Sequence, residues 1–146
     1  MPSEAEVADL TAHLVASLDP TSAAAEAYRG LRTNLLYSLI DKPPKVIIFT
    51  SPGPGEGKSM TCSNLGVVLA QAEKNTLILD CDFRKPVMHR IFGLRNVVGI
   101  VDVLVEERPL KEVWHEPVEG LKVIPAGSIP LNPAEVGLPA VFTVSR

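Results

Sequence analysis

The sequence predicts a three-layer α/β domain in which helices cover both faces of a mostly parallel sheet. Short apolar runs at 46–49, 76–80 and 121–124 predict three strands, and the first has the β-branched and aromatic composition of a central strand buried on both faces. A Pro-free stretch rich in Leu, Val and Ala, 60–72, predicts a helix between the first two strands. With 146 residues, 46% of them hydrophobic, the chain can form one domain with a core.

A glycine-rich loop follows the first predicted strand. Its glycines allow a tight turn and bring backbone N–H groups close to an anion. Lys58 can then reach the β- and γ-phosphates of a nucleotide, the Ser59 hydroxyl can ligate Mg²⁺, and the next helix points its N-terminus at the phosphates. The predicted nucleotide-binding residues are Gly53, Pro54, Gly55, Glu56, Gly57, Lys58, Ser59 and Met60.

The loop departs from the strict G-x-x-x-x-G-K-[ST] pattern, because Pro52 stands where the first glycine is expected. A Gly/Pro-rich surface turn is the alternative interpretation. Such turns rarely lie between a buried strand and a helix, so the strand–loop–helix order favours a phosphate site.

Two carboxylates, Asp80 and Asp82, follow the second predicted strand. The carboxyl ends of parallel strands meet at one edge of a sheet, so both residues are expected near the phosphates. With Ser59 they form a predicted Mg²⁺ site, and one of them could accept a proton from an attacking hydroxyl. The alternative is an Asx-type turn in which Arg84 pairs with an aspartate.

Helical periodicity begins near the N-terminus. Ser3 and Glu6 form a possible capping box, and apolar residues recur at helical spacing as far as Leu18. We therefore expect residues 1–20 to form an N-terminal helix or extension and 21–146 to form the loop-containing domain.

Further helices are predicted at about 22–39, 86–92 and 100–107. After 128 the sequence has few signals of regular structure until the apolar run at 140–144.

Three charged residues share one face of the second predicted helix. Glu26, Arg29 and Arg32 are each three residues from the next, which makes them neighbours. A solvated face with a weak ion pair is one interpretation, and an electrostatic contact with another subunit is the other.

Composition limits the remaining functions. The net charge of -3 and pI near 5.6 give no reason to expect a nucleic-acid partner. No apolar run is long enough to cross a bilayer, so the protein is expected to be soluble or held to a membrane by a partner. Cys62 and Cys81 lack metal-like spacing and are expected to be free thiols in a reducing cytoplasm.

Several motifs together resemble the bacterial tyrosine kinases (BY-kinases) of capsule and exopolysaccharide synthesis, of the cytoplasmic CpsD/CapB type. Residues 51–59 resemble the Walker A motif of that family, and 79–86 resemble its Walker A′ motif. Residues 26–32 match its E-x-x-R-x-x-R helix. The segments 89–93, 99–104 and 121–135 are also similar to family segments.

The resemblance implies a partial protein-tyrosine kinase domain at 21–146 that uses ATP and Mg²⁺. Lys58 and Ser59 would bind ATP·Mg²⁺, Asp80 and Asp82 would be the magnesium and catalytic carboxylates, and Asp80 would be the better candidate to activate a tyrosine hydroxyl. Glu26, Arg29 and Arg32 would pack subunits together in rings. The implied partner is a membrane-bound activator of the polysaccharide co-polymerase type, which would place the protein in the cytoplasm at the inner face of the membrane.

Two family features do not follow residue 135 in this sequence: a strand ending in a Walker B aspartate, and a C-terminal tyrosine cluster. We therefore expect a C-terminally incomplete domain that is a poor kinase. One alternative is a positioning ATPase of the partition or division-site type, although those relatives carry a lysine where this chain has Gly53. The other is a non-catalytic, nucleotide-binding adaptor.

Overall fold

A computed structural model describes residues 10–38, 41–52 and 57–128, together with the backbone of 140–145. The α-helices are α1 (Val15–Leu18), α2 (Ala23–Tyr37), α3 (Lys58–Gln71), α4 (Met88–Ile91) and α5 (Ile100–Glu106). The strands are β1 (Val46–Phe49), β2 (Asn75–Leu79), β3 (His115–Val118), β4 (Leu121–Ile124) and β5 (Ala140–Ser145). A short 3₁₀ helix spans Leu110–Glu112.

The strands form one sheet in the order β1-β5-β2-β4-β3. β2 and β4 pair in parallel, whereas β5 runs antiparallel to both β1 and β2, and β3 runs antiparallel to β4. The three strands predicted from the sequence, β1, β2 and β4, therefore share one direction. Their carboxyl ends lie at the same edge of the sheet, which is where ligands bind in open α/β folds.

The core has one apolar cluster on each face of the sheet. Ile78 belongs to the cluster that contains buried residues of α1, α3 and α4, while its neighbours Leu77 and Leu79 pack against the cluster that contains residues of α5. This alternation is the period-2 pattern of a strand covered on both sides. The predicted three-layer α/β architecture is confirmed.

The burial predicted for β1 is wrong. Val46 and Ile48 are 57% and 60% exposed, whereas Ile47 and Phe49 pack against the core cluster that includes α3. Among the described strands β1 pairs only with β5, so it lies at an edge of the sheet, and the face that carries Val46 and Ile48 is open to solvent.

The continuous helix predicted as far as Leu18 is also wrong within the described residues. Residues 10 and 11 are helical, but a turn at 12–13 follows them, and Leu14, just before the four-residue α1, has a non-helical backbone with φ -78° and ψ 57°. The side chain of Asn64 bonds to the backbone on both sides of this break, so hydrogen bonds to α3 replace those of a helix. The Ser3–Glu6 capping box lies outside the described residues.

The other element predictions hold to within a few residues, except that β3 and the 3₁₀ helix were not expected. Within the described residues, none of the helices has the length and apolar character needed to cross a bilayer.

Candidate nucleotide-binding site

The loop after β1 leads to a helix start suited to an anion. Gly57 has a φ of +80°, a left-handed conformation that favours glycine, and it immediately precedes Lys58, the first residue of α3. Gly57 has no side chain to cap the helix, so the first N–H groups of α3 can bind a ligand, at the positive end of the helix dipole. The predicted residues Gly53, Pro54, Gly55 and Glu56 lie outside the described residues.

A cavity of about 360 Å³ lies beside this helix start. Its lining residues are Ile48, Phe49, Thr50, Ser51, Pro52, Gly57, Lys58 and Thr61. Because it joins the carboxyl end of β1 to the first turn of α3, it lies where the sequence predicts phosphates. Of the other predicted ligands, Ser59 is half-buried and Met60 is 37% exposed.

Lys58 and Asp82 meet across the site. Lys58 Nζ lies 3.0 Å from Asp82 Oδ2, and the two side chains are 18% and 26% exposed. The other carboxylate oxygen of Asp82 accepts the backbone N–H of Lys85 at 3.2 Å. The end of β2 and the start of α3 thus place a cation and a partly accessible carboxylate in direct contact.

Asp80 has a different environment. It is 1% exposed, and its Oδ1 accepts the N–H of Asp82 at 3.1 Å. Its Oδ2 accepts the N–H groups of Val87 and Met88 at 3.1 and 3.0 Å. The carboxylate therefore holds the loop between β2 and α4 in place from within.

Burial raises the pKa of Asp80 from its ordinary value of 3.8 to about 6, although the three backbone N–H groups favour the charged form. At neutral pH the group is still ionised. The nearby thiols are weak nucleophiles, because burial raises the pKa of Cys62 far above its ordinary value and that of Cys81 to about 11. Both cysteines are free and buried.

The described residues include no group of three or more His, Cys, Asp or Glu side chains that could hold a metal. Of the residues predicted to bind Mg²⁺ or to act in catalysis, Lys58 and Asp82 are in direct contact. Both carboxylate oxygens of Asp80 instead accept hydrogen bonds from backbone N–H groups. For a Mg²⁺ ion, which prefers oxygen ligands and keeps several waters, the accessible Asp82 carboxylate fits better than that of Asp80.

The predicted interface residues divide into two environments on α2. Glu26 Oε2 accepts from Arg29 Nη2 at 2.8 Å, in a pair whose glutamate is 74% and whose arginine is 27% exposed. Arg32 Nη1 instead donates to the carbonyl of Val68 on α3, at 2.5 Å. Arg32 therefore joins two helices of the same chain.

Sequence reasoning missed Asn64, a fully buried polar residue of α3. Its side chain contacts the backbone of the N-terminal segment and that of the first turn of α3. The available signal was an amide within the stretch 62–70, in which Ser63 is the one other polar side chain.

A left-handed glycine after β1, a lysine at the start of the next helix and a carboxylate after β2, which runs parallel to β1, define the protein as a P-loop nucleotide-binding domain. The family model of the CobQ/CobB/MinD/ParA nucleotide binding domain matches residues 47–125. The chain belongs to this family and, within it, to the bacterial tyrosine-kinase group.

Three proteins illustrate the similarity to that group. The tyrosine-protein kinase YwqD of Bacillus subtilis is 41% identical over 125 residues, which are 85% of this chain and 53% of YwqD. The crystal structure of the chimerical protein CapA2B2 superposes with a TM-score of 0.80 at 37% identity, over 86% of this chain and 55% of that one. The kinase domain of the Escherichia coli tyrosine kinase ETK gives a TM-score of 0.77 at 31% identity, over 84% and 49%. The chain thus spans about half the length of each.

Proposed function

We propose that this domain binds ATP with Mg²⁺ and transfers the γ-phosphoryl group to a tyrosine hydroxyl, in the control of capsule or exopolysaccharide synthesis. One observation carries the proposal: the 3.0 Å contact between Lys58 and Asp82 at the start of α3. It places a cation suited to phosphates beside a carboxylate suited to a metal or a proton. The names of YwqD and ETK as tyrosine kinases support the same reaction class.

The proposed reaction forms one bond and breaks one. The tyrosine oxygen attacks the γ-phosphorus, the bond between that phosphorus and the β–γ bridging oxygen breaks, and ADP leaves. The hydroxyl proton passes to a carboxylate. Such a transfer needs positioning and charge neutralisation more than covalent chemistry, so a cation, backbone N–H groups and a carboxylate are adequate groups for it.

Lys58 would bind the β- and γ-phosphates, and the N–H groups at the start of α3 would bind the remaining phosphate charge. Ser59 and Asp82 would hold the metal directly or through its waters. Bound Mg²⁺ would neutralise charge on the phosphate oxygens. Because Asp82 contacts Lys58, phosphate and metal would compete with this ion pair, and its opening would free one group for phosphate and the other for the metal or the proton.

Asp80 remains the candidate base named from the resemblance, but its surroundings favour a second role. Both of its oxygens accept backbone N–H groups and it is 1% exposed. We propose that Asp80 chiefly positions the loop that carries Asp82. It could act as a base only if that loop opened.

The partners are proposals too. The accessible Glu26–Arg29 pair supports self-association through α2, and the resemblance to CpsD/CapB-type kinases supports a membrane-bound activator of the co-polymerase type. Such an activator would bring the domain to the cytoplasmic face of the membrane.

Calorimetric titration of the purified chain with ATP and ADP, with and without Mg²⁺, tests the nucleotide site. Lys58→Met should abolish binding, because it removes the cation aimed at the phosphates. Lys45→Met is the matched control, since that exposed lysine precedes β1 at the opposite end of the strand. Equal affinity in the two variants would refute the proposed site.

Labelled ATP then tests transfer, with a tyrosine-containing substrate and the activator's cytoplasmic segment added separately. Phosphotyrosine that disappears in Asp82→Asn supports the kinase. The burial of Asp80, which leaves Asp82 as the accessible one of the two aspartates, favours the adaptor as a second candidate. Tight ATP binding with no phosphotyrosine under any of these conditions would support the adaptor and contradict the kinase.

A further inference from the structure

Two side chains of α3 hold the backbone of residues 10–18, which we call the strap. Asn64 Oδ1 accepts the N–H of Ala16 at 3.1 Å, and Asn64 Nδ2 donates to the carbonyl of His13 at 2.8 Å. Two turns further along α3, Gln71 Nε2 donates to the carbonyl of Ala16 at 3.2 Å. The strap is therefore bound to α3 through its main chain at three points.

The amide of Asn64 also reaches the first turn of α3. Its Nδ2 donates to the carbonyl of Met60 at 2.9 Å, and Met60 lies two residues after Lys58. Asn64 is fully buried, so one amide with several partners joins the strap to the turn that carries the lysine. If the strap detached, the amide would lose its partners at Ala16 and His13.

Apolar contacts hold the strap in the same place. Leu14 is 8% exposed and Ala16 is fully buried, and both belong to the core cluster that contains residues of α3 and α4. Leu18, at the end of the strap, is 65% exposed. Docking of the strap thus depends on Leu14, Ala16 and the side-chain amides of Asn64 and Gln71, and not on Leu18.

We propose that Asn64 is a positioning residue of the nucleotide site, through which docking of the strap fixes the first turn of α3 and raises the affinity for nucleotide phosphates. The inference rests on the proposed nucleotide function. A first turn that is already held in place loses less freedom when its N–H groups and Lys58 bind phosphate. By linkage, bound nucleotide must also strengthen docking of the strap.

The test measures ADP·Mg²⁺ affinity of the whole chain by calorimetry. Leu14→Ala weakens docking of the strap at a position outside the nucleotide site. Asn64→Ala removes the side chain that joins the strap to the first turn of α3. Each should weaken ADP binding about tenfold, and the double variant no more than either, because both act on one docking step. Leu18→Ala controls for changes in the strap, and Val67→Ala controls for loss of a buried α3 side chain; both should bind ADP like the parent.

Hydrogen exchange provides the second measurement. Amides of the strap should exchange faster in Leu14→Ala and slower in the parent when ADP is bound. If the strap amides of Leu14→Ala exchange faster but its affinity for ADP is unchanged, docking of the strap is not coupled to nucleotide binding. That result would overturn this inference and leave the proposed nucleotide site intact. The inference is also overturned if Val67→Ala and Asn64→Ala lose ADP affinity equally, since a general loss of stability would then explain both losses. A parent chain that binds no ADP overturns the proposed function and this inference together. If Asn64→Ala does not fold, Leu14→Ala alone decides.

Discussion

Lys58 Nζ and Asp82 Oδ2 lie 3.0 Å apart, so the lysine that should bind phosphate is paired with a carboxylate of the same chain. The pair is partly exposed, which limits its strength through solvent screening. It nevertheless competes with any anion for the lysine and with any metal for the carboxylate. Metal-free and metal-bound nucleotide should therefore respond in opposite directions to the loss of Asp82.

The first prediction is that Asp82→Asn raises the affinity for ADP without metal and removes most of the gain that Mg²⁺ gives to the parent. The amide leaves Lys58 free for phosphate but is a poor ligand for Mg²⁺. Calorimetric titration of both chains with ADP, in EDTA and in Mg²⁺, measures the two effects. If Asp82→Asn binds metal-free ADP no more tightly than the parent does, phosphate and Asp82 do not compete for Lys58, and the prediction is contradicted.

The three strands that share one direction could be predicted from the sequence because β1, β2 and β4 are each short, largely apolar runs. Their order in the sheet, with β5 between β1 and β2, was not predicted. β3 could not, since His115, Glu116 and Pro117 give it no strand composition. A proline is tolerated there because β3 is an edge strand that pairs only with β4 among the described strands.

The residues of the candidate site could be predicted from local sequence, but their environments could not. A local motif identifies Lys58, and the end of a strand identifies Asp80 and Asp82. Which aspartate is accessible depends on the N–H groups of Val87 and Met88, which only the folded loop brings to Asp80. The break in the N-terminal helix likewise depends on Asn64, 48 residues from Ala16.

The second prediction concerns the pH dependence of stability. Because the folded-state pKa of Asp80 is raised from 3.8 to about 6, the folded chain binds more protons than the unfolded chain between these values. The free energy of unfolding therefore falls as pH rises through this window, by up to about 3 kcal/mol. Asp80→Asn should lack this slope.

Urea unfolding of parent and Asp80→Asn at several values between pH 4 and 7 measures the difference. His89, whose pKa is lowered by burial and by Arg90, acts in the opposite direction, but it is present in both chains and cancels. A parent-minus-variant difference that stays flat, or that grows with pH, would show that Asp80 is not the buried acid described.

The third prediction compares two glycines. A Cβ on Gly99 would lie 2.1 Å from the carbonyl oxygen of Pro125, so Gly99→Ala must displace backbone between β4 and α5 and should destabilise the fold by several kcal/mol. Gly30→Ala is the control, because nothing lies within 4 Å of a Cβ there. Within α2 that alanine should stabilise by about 0.5–1 kcal/mol. Chemical unfolding of the two variants should give opposite signs, and equal losses of stability would contradict this packing.

The last prediction separates assembly from folding on α2. Arg29 is half-buried and pairs with the exposed Glu26, whereas Arg32 donates to the carbonyl of Val68 within the same chain. If α2 is an interface, Arg29→Ala should shift an oligomer towards monomer with little change in unfolding free energy. Arg32→Ala should instead lower the unfolding free energy by about 1–3 kcal/mol, because a charge-assisted hydrogen bond is lost.

Light scattering at matched concentration and salt measures the shift towards monomer in Arg29→Ala. Urea unfolding measures the loss of unfolding free energy in Arg32→Ala. Arg108→Ala is the control, since Arg108 also pairs with a glutamate, Glu106 at the end of α5, at 2.8 Å. An oligomer whose mass is unchanged by Arg29→Ala, or changed equally by Arg108→Ala, would return the Glu26–Arg29 pair to a solvated helix face. In that case its contribution would be only that of an i,i+3 ion pair, about 0.2–0.5 kcal/mol.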